Sequence, residues 1–246
     1  MPIYIGTSTK NQQQISHGGT QMQKVYVGDK LVWEKAPTFT PIKYGMLYNW
    51  YAASDSRNIA SIGWSVPTRT EYITLANYVG TNLTAGAYLK EVGLSNWQTP
   101  NTGATNYSGF NARGSGYRVL GVYGHLYQDF NSWSSSLESS TYAYFFALFY
   151  NNTTEQHGAH RTYEGKSLRL LKDTTTLTNG QTGQYIGNDG KAYRTICIGT
   201  QEWLADNLAE TKYRDGSTIP EVTDNTAWSA LTTGGCCAYN NDHSNI

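Results

Sequence analysis

The chain has 246 residues, and its 18 basic and 18 acidic side chains give a formal net charge of zero. That balance excludes the electrostatic footprint of a nucleic-acid binder or of a protein drawn to an anionic membrane. Only 15% of residues are charged, whereas 13% are aromatic, with 20 Tyr, 7 Trp and 25 Gly, so strand-and-loop architecture with Tyr available for contact surfaces is expected.

No apolar run approaches the ~20 residues that span a bilayer, and Met1-Pro2-Ile3 lacks the charged start and apolar core of a signal peptide. Membrane insertion is therefore not expected. Cys197, Cys236 and Cys237 are too few for a disulfide framework and odd in number, which fits assembly in a reducing cytoplasm.

Residues 1–36 form a unit of their own. Lys24 to Trp33 is two short β-prone runs on either side of Gly28-Asp29, a good two-residue hairpin turn. Ile3-Tyr4-Ile5-Gly6 offers a third strand, and the polar stretch Thr7 to Gly19 between them reads as a loop. So little apolar material cannot build an independent core. Val25, Val27, Leu31 and Trp33 are accordingly expected to bury against another chain. Residues 37–43, holding Pro37 and Pro41, form a linker.

In residues 44–173, Thr68 followed by Glu71 is a capping box, and Tyr72, Leu75, Ala76 and Val79 continue it at helical spacing. A second short helix is expected over Ala85 to Val92, ending at Gly93. From Gly103 to Leu171 short strands are broken by Gly, Asn and Ser, Tyr142 to Tyr150 being the clearest. Residues 174–183 are a Thr/Asn/Gly linker. In residues 184–246 a hairpin-like pair spans Tyr185 to Ile198, turning at Asn188-Asp189-Gly190, and a helix over Asn225 to Leu231 is capped by Asp224. The sum is an α+β fold of short mixed strands with two or three short helices.

Several motifs stand in one order: Tyr44-Gly45-Met46-Leu47-Tyr48-Asn49-Trp50-Tyr51-Ala52, Gly63-Trp64-Ser65-Val66-Pro67-Thr68, Thr102 to Phe110, Gly116-Tyr117-Arg118, Trp133-Ser134-Ser135-Ser136 and Ser167-Leu168-Arg169. Together they resemble the Fibrobacter succinogenes major paralogous domain, a family with a C-type-lectin-like fold related to formylglycine-generating enzymes. Ile198 to Leu208, Asp215-Gly216, Ala227-Trp228 and Tyr239-Asn240-Asn241-Asp242 resemble the front half of the same family, which here follows the back half. Three readings of residues 184–246 stand: completion of the chain's own domain by circular permutation, completion of a neighbour's domain by swapping, or a truncated second repeat. The resemblance implies that Asn240 to Ile246 ends within roughly 15 Å of Lys43-Tyr44. It also implies that Trp203, Leu204 and Leu208 share a core with Leu47, Trp50 and Trp64.

Lys24 to Trp33 is similar to the N-terminal hairpins of phage structural proteins, especially those infecting gut Bacteroidetes. That likeness implies a virion protein assembled in the bacterial host cytoplasm. Its partners would be other virion proteins, held through residues 1–36, and a host cell-surface glycan or protein. A homo-oligomer is expected, with a trimer favoured.

The sequence holds no Walker loop, dinucleotide fingerprint or Gly-x-Ser-x-Gly elbow, and no lectin-type calcium motif; no cofactor is expected. Cys236-Cys237 reads as ordinary packing, with metal or redox chemistry as the alternative. His157 and His160 have a spacing that can ligate metal but read as an exposed loop. The ligand-binding candidates are Tyr123, His125, Tyr127, Gln128, Asp129, Asn131, Tyr142, Tyr144, His157, His160 and Tyr163, since Tyr buries area at little entropic cost and the polar groups suit hydroxyl-rich ligands. A non-enzymatic virion protein displaying a lectin-like domain is the first expectation. A purely structural cementing protein is the second and a formylglycine-generating-type enzyme the third. Deleting residues 1–36 should leave a folded domain with an unchanged thermal unfolding midpoint; loss of the cooperative transition would place the boundary elsewhere.

Overall fold

The computed structural model describes residues 39 and 42–246 and, before them, the backbone of residues 16–17, 20–21, 24–27 and 30–34. The chain divides into two units, residues 1–38 and residues 39–246.

In the first unit β1 (Ser16–His17) pairs antiparallel with β2 (Thr20–Gln21), so the polar stretch expected to be loop ends in a short hairpin. The expected hairpin follows: β3 (Lys24–Val27) pairs with β4 (Lys30–Glu34), and Val27 faces Lys30 across Gly28-Asp29. Residues 3–6 and the side chains of Val25, Val27, Leu31 and Trp33 lie outside the described residues.

The second unit is mostly β-sheet with a few short helices. β5 (Leu47–Tyr48) leads into α1 (Trp50–Ala53), whose start Asn49 caps by accepting from the Ala52 N–H at 3.0 Å. β6 (Trp64–Ser65) precedes α2 (Arg69–Val79), where the expected capping box is complete. Thr68 Oγ1 accepts from the Glu71 N–H at 3.2 Å, and the Glu71 carboxylate accepts from the Thr68 N–H at 2.6 Å. α3 (Ala85–Leu89) stops short of Val92. Lys90 turns extended there, and its ammonium donates inward to the carbonyls of Thr102, Phe149 and Asn152, each at 2.9 Å. Three buried carbonyls for one cation outweigh another turn of helix.

β7 (Ser115–Val119) and β8 (Val122–Leu126) form a hairpin about Leu120-Gly121, with φ of 49° and 76°, as a type I′ turn requires. β9 (Asp129–Leu137), β10 (Tyr142–Phe149) and β11 (Glu155–Arg161) make an antiparallel sheet with β10 central. This corrects the loop expected around His157 and His160: both lie on β11, opposite Phe146 and Ala143. Gln156-His157-Gly158-Ala159-His160 has little strand propensity of its own, and the ladder to β10 supplies what the local sequence lacks.

β12 (Leu171–Lys172), β13 (Thr182–Ile186), β14 (Ala192–Ile198) and β15 (Gln201–Leu204) join β6 in a five-stranded sheet of order β13-β14-β15-β12-β6. α4 (Asn225–Ser229) starts where Asp224 accepts from the Ala227 N–H at 2.7 Å, and β16 (Cys236–Cys237) pairs with β5. Leu171 lies opposite Trp203, and the Tyr44 N–H donates to the Asn245 carbonyl at 3.0 Å. Residues 184–246 therefore complete the unit to which residues 44–173 of the same chain belong.

The expected common core is divided among three clusters. Leu204, Leu208 and Trp64 share one, with Trp50 packed against it; Trp203 joins Tyr72, Phe110 and Phe146 in another; Leu47 sits with Trp228 in a third. Successive strand residues point to opposite faces, so Trp203 and Leu204 cannot enter one core together.

The turn between β13 and β14 is held by Glu210, whose carboxylate accepts from the N–H groups of Asn188, Asp189, Thr211 and Lys212. Burial, with the Asp189 carboxylate beside it, pushes Glu210 up from 4.5 to about 7. A raised acid stabilises the fold fully below its unfolded value and loses that contribution as pH rises through the folded value. Stability should thus fall between pH 4.5 and 7 by at most ~3 kcal/mol from this group. Unfolding midpoints of wild type and Glu210→Gln at both ends of that window check this: the variant should lose much of the pH dependence, and an unchanged slope would refute the assignment.

Candidate functional site

Strand alternation puts Asp129, Asn131 and Trp133 of β9 on one face of the β9-β10-β11 sheet with Phe145 and Ala147 of β10 and His160 of β11. Lys166, in the segment after β11, is fully buried against that face. Its ammonium lies 4.6 Å from the Phe145 ring centroid, 5.1 Å from that of Trp133 and 5.3 Å from that of Tyr117 on β7. It also contacts Glu164 Oε2 at 3.1 Å and His160 Nδ1 at 3.0 Å.

Two histidines flank this buried cation in matching fashion. His125 Nδ1 sits 2.6 Å from Asp129 Oδ2, and His160 Nδ1 sits 2.8 Å from Glu164 Oε2; in each pair the carboxylate is four residues on. The His125 ring packs on Tyr117 with centroids 4.9 Å apart, and the His160 ring on Phe145 at 4.3 Å. The imidazoles are 48% and 43% exposed, whereas their carboxylates are only 11% and 10% exposed, so the rings form the accessible surface above a charged floor. Asn131, set between Asp129 and Trp133, has a buried Nδ2 without a hydrogen-bond partner among the described residues.

Electrostatics follow from burial. It pushes the Asp129 carboxyl up against the pull of His125 and Lys166. Burial would also raise Glu164, but His160 and Lys166 hold it below its ordinary value. The Lys166 ammonium is pushed down by burial, with Glu164 and Asp129 opposing. The backbone is also strained at this place, since His125 and Tyr127 have φ of 62° and 66°. Hydrogen bonds from Tyr127 N–H to the Gly114 carbonyl (2.7 Å) and from Gln128 N–H to the His125 carbonyl (2.9 Å) hold them there.

Of the sequence candidates, His125, Asp129, Asn131 and His160 come together. The others do not. Tyr123 donates to Asn241 Oδ1 at 2.6 Å, and Tyr127 packs edge-on to Tyr44. Gln128 lies in the turn before β9, and its carbonyl accepts from the Tyr150 N–H at 2.8 Å. Tyr142, Tyr144 and His157 lie on the opposite face of the sheet, Tyr144 under the Arg69 guanidinium and His157 2.9 Å from Glu155. The Tyr163 carbonyl accepts from Trp228 Nε1. Tyr117, Phe145, Glu164 and Lys166 were not among the candidates. A signal for Glu164 was present: His125-x-x-x-Asp129 and His160-x-x-x-Glu164 repeat one spacing.

All three cysteines are free and buried. Burial pushes the thiols of Cys236 and Cys237 up, which keeps both protonated, in line with a packing role. Among the described residues no group of three or more His, Cys, Asp or Glu side chains is placed to hold a metal ion.

The sequence model of the Fibrobacter succinogenes major domain matches residues 6–186. The chain belongs to this family. The match to the Fibrobacter succinogenes major domain begins inside the separate unit expected at residues 1–36, and it ends at the last residue of β13. Residues 187–246 lie beyond it, yet they supply β14, β15 and β16. The chain matches no curated protein and no solved structure.

Lys166 and Glu164 should act as a unit. In a double-mutant cycle of Lys166→Met and Glu164→Gln, each single change leaves one buried charge unpaired, and the double change restores part of the stability. A coupling of about 1–3 kcal/mol in denaturant unfolding is expected, and additive effects would show that the charges do not share one network.

Proposed function

We propose that this member of the Fibrobacter succinogenes major domain family is a non-enzymatic virion protein. Its second unit is a C-type-lectin-like binding module, and its first unit attaches to other virion proteins. The module takes a hydroxyl-rich glycan of the host surface on the face formed by His125, Tyr117 and His160. The observation that carries this reading is the pairing of two half-exposed imidazoles, each fixed by a buried carboxylate, around the rings that enclose Lys166. Rings give a sugar flat apolar contact, and fixed polar groups select hydroxyl positions. Preorganisation by the charged floor limits the entropy lost on binding.

The virion setting rests on the likeness of Lys24 to Trp33 to phage N-terminal hairpins and on the β3–β4 pairing in a unit of its own. The lectin-like assignment of the fold rests on the family's character and on short strands flanked by α2 and α3. A cementing role without sugar binding is the second reading. Leu120 and Val122, 64% and 68% exposed at the tip of the β7–β8 hairpin, favour it as an apolar contact.

A glycan array probed with the full chain tests the first reading. His125→Ala with His160→Ala should abolish the bound spots and reduce attachment to host cells, at ~1–2 kcal/mol for each imidazole removed. Because Asp129 and Glu164 lose their imidazole partners, the unfolding midpoint should fall but stay above the assay temperature, and it is measured alongside. Absence of any bound glycan together with unchanged attachment would favour cementing.

A further inference from the structure

The chemistry of the two histidines restricts what this face can recognise, an inference that rests on the proposed binding role of the same site. Asp129 Oδ2 lies 2.6 Å from His125 Nδ1, and an ionised carboxylate can only accept. The proton of the neutral imidazole is therefore on Nδ1, and Nε2, on the far side of the ring, carries a lone pair.

At His160 the Nδ1 is 2.8 Å from Glu164 Oε2, an oxygen that also receives the Lys166 ammonium at 3.1 Å. The other tautomer would turn a nitrogen lone pair toward that oxygen. Lys166 is 3.0 Å from the same Nδ1, but it is already served by Glu164 and by three aromatic faces. The charge-assisted bond to the carboxylate sets the tautomer here too.

The groups facing these rings are Tyr117 from β7, Asp129 from β9, Phe145 from β10, and Glu164 and Lys166 from the segment after β11. Two carboxylates and one ammonium leave the face with a formal excess of one negative charge while the imidazoles are neutral. Because Lys166 is fully buried, its ammonium is not available as a donor to a ligand.

We propose that His125 and His160 act as fixed hydrogen-bond acceptors, so that the face selects uncharged, donor-rich sugars and rejects carboxylated or sulfated ones. A ligand hydroxyl can donate to either Nε2, whereas a ligand carboxylate or sulfate would bring a second acceptor, and a second negative charge, to a face that already carries an excess of one.

The test has two arms, both on the full-length protein. Long-range 1H–15N correlation at about pH 8, assigned with His125→Gln and His160→Gln, should show the Nδ1–H tautomer at both rings; an Nε2–H tautomer at either overturns the proposal. An array of neutral, carboxylated and sulfated oligosaccharides is then probed at about pH 8 with wild type, His125→Gln and His160→Gln, with unfolding midpoints taken for each. Binding should be confined to neutral members and weaken roughly tenfold in each variant, as loss of one hydrogen bond of about 1.4 kcal/mol gives. Binding of anionic members, or unweakened binding by both variants, overturns this proposal alone. Binding of no oligosaccharide overturns the glycan-binding reading and the proposal together.

Discussion

The fold turns on one buried cation, Arg169. Its Nε donates to Asn207 Oδ1 at 2.8 Å, Nη1 donates to the carbonyls of Phe110 and Leu204 at 2.8 and 2.7 Å, and Nη2 donates to that of Asn111 at 3.1 Å. These partners come from two segments remote from Arg169 in the chain, and each would be a buried acceptor without its donor if the guanidinium were removed. The compensation comes from oxygen dipoles, and burial pulls Arg169 down to about 9 while leaving it charged. Asn207 extends the clamp, because its Nδ2 donates to the Tyr44 carbonyl at 2.8 Å. Arg118 works the same way nearer the C-terminus, donating to the carbonyls of Val222 and Thr223 at 2.7 and 2.9 Å. The arginines of the Gly116-Tyr117-Arg118 and Ser167-Leu168-Arg169 motifs thus fasten residues 204–225 onto the rest of the unit.

The same fastening holds residues 204–235 against the start of the second unit. Gly45, with φ of 71°, passes so close to residues 207–208 that an added Cβ would lie 2.5 Å from the Leu208 carbonyl oxygen, and this approach lets the Met46 N–H donate to that carbonyl at 2.9 Å. Asn49 grips the other end of the segment through the Thr233 carbonyl and the Gly235 N–H, at 2.8 and 3.0 Å. Trp203, Leu204, Leu208 and Trp228 are all fully buried. At roughly 2 kcal/mol or more each, their burial is comparable with the ~5–15 kcal/mol that holds a whole domain folded. Residues 184–246 supply structural core to the second unit.

What could be read in the sequence was local. The capping box at Thr68, the cap at Asp224, the strand over Tyr142 to Phe149 and the turn at Asn188 to Gly190 each depend on a few adjacent residues, and each stands where expected. The end of α3 depends on where Lys90 finds carbonyls, and β11 depends on the ladder to β10; neither is a local property. The candidate site shows the same division. Both faces of β10 are apolar or aromatic, Tyr142, Tyr144, Phe146 and Leu148 on one and Ala143, Phe145, Ala147 and Phe149 on the other, so periodicity could not tell which face carried His160 and which His157. Tyr117 and Lys166 stand beside motif arginines and glycines whose structural roles are plain, and only the tertiary contact of Lys166 with three rings sets them apart.

The charged floor of that face is expensive as structure. Lys166, Glu164 and Asp129 are buried, and packed apolar side chains of similar size would hold the same sheet more firmly. What the charges add is direction. Each carboxylate fixes one nitrogen of a half-exposed ring, and Lys166 keeps Glu164 ionised so that it can do so. The strained backbone at His125 and Tyr127 adds a second cost at the same spot, held by hydrogen bonds to Gly114 and Gln128. The buried Nδ2 of Asn131 adds a third. Three departures from the most stable arrangement thus meet on one face of this sheet, and the opposite face, packed on Tyr72 and Trp203, carries a buried His157–Glu155 pair of its own. The charges that cost stability are the same ones that orient the two half-exposed rings, so their place on this face follows from what they position rather than from packing alone.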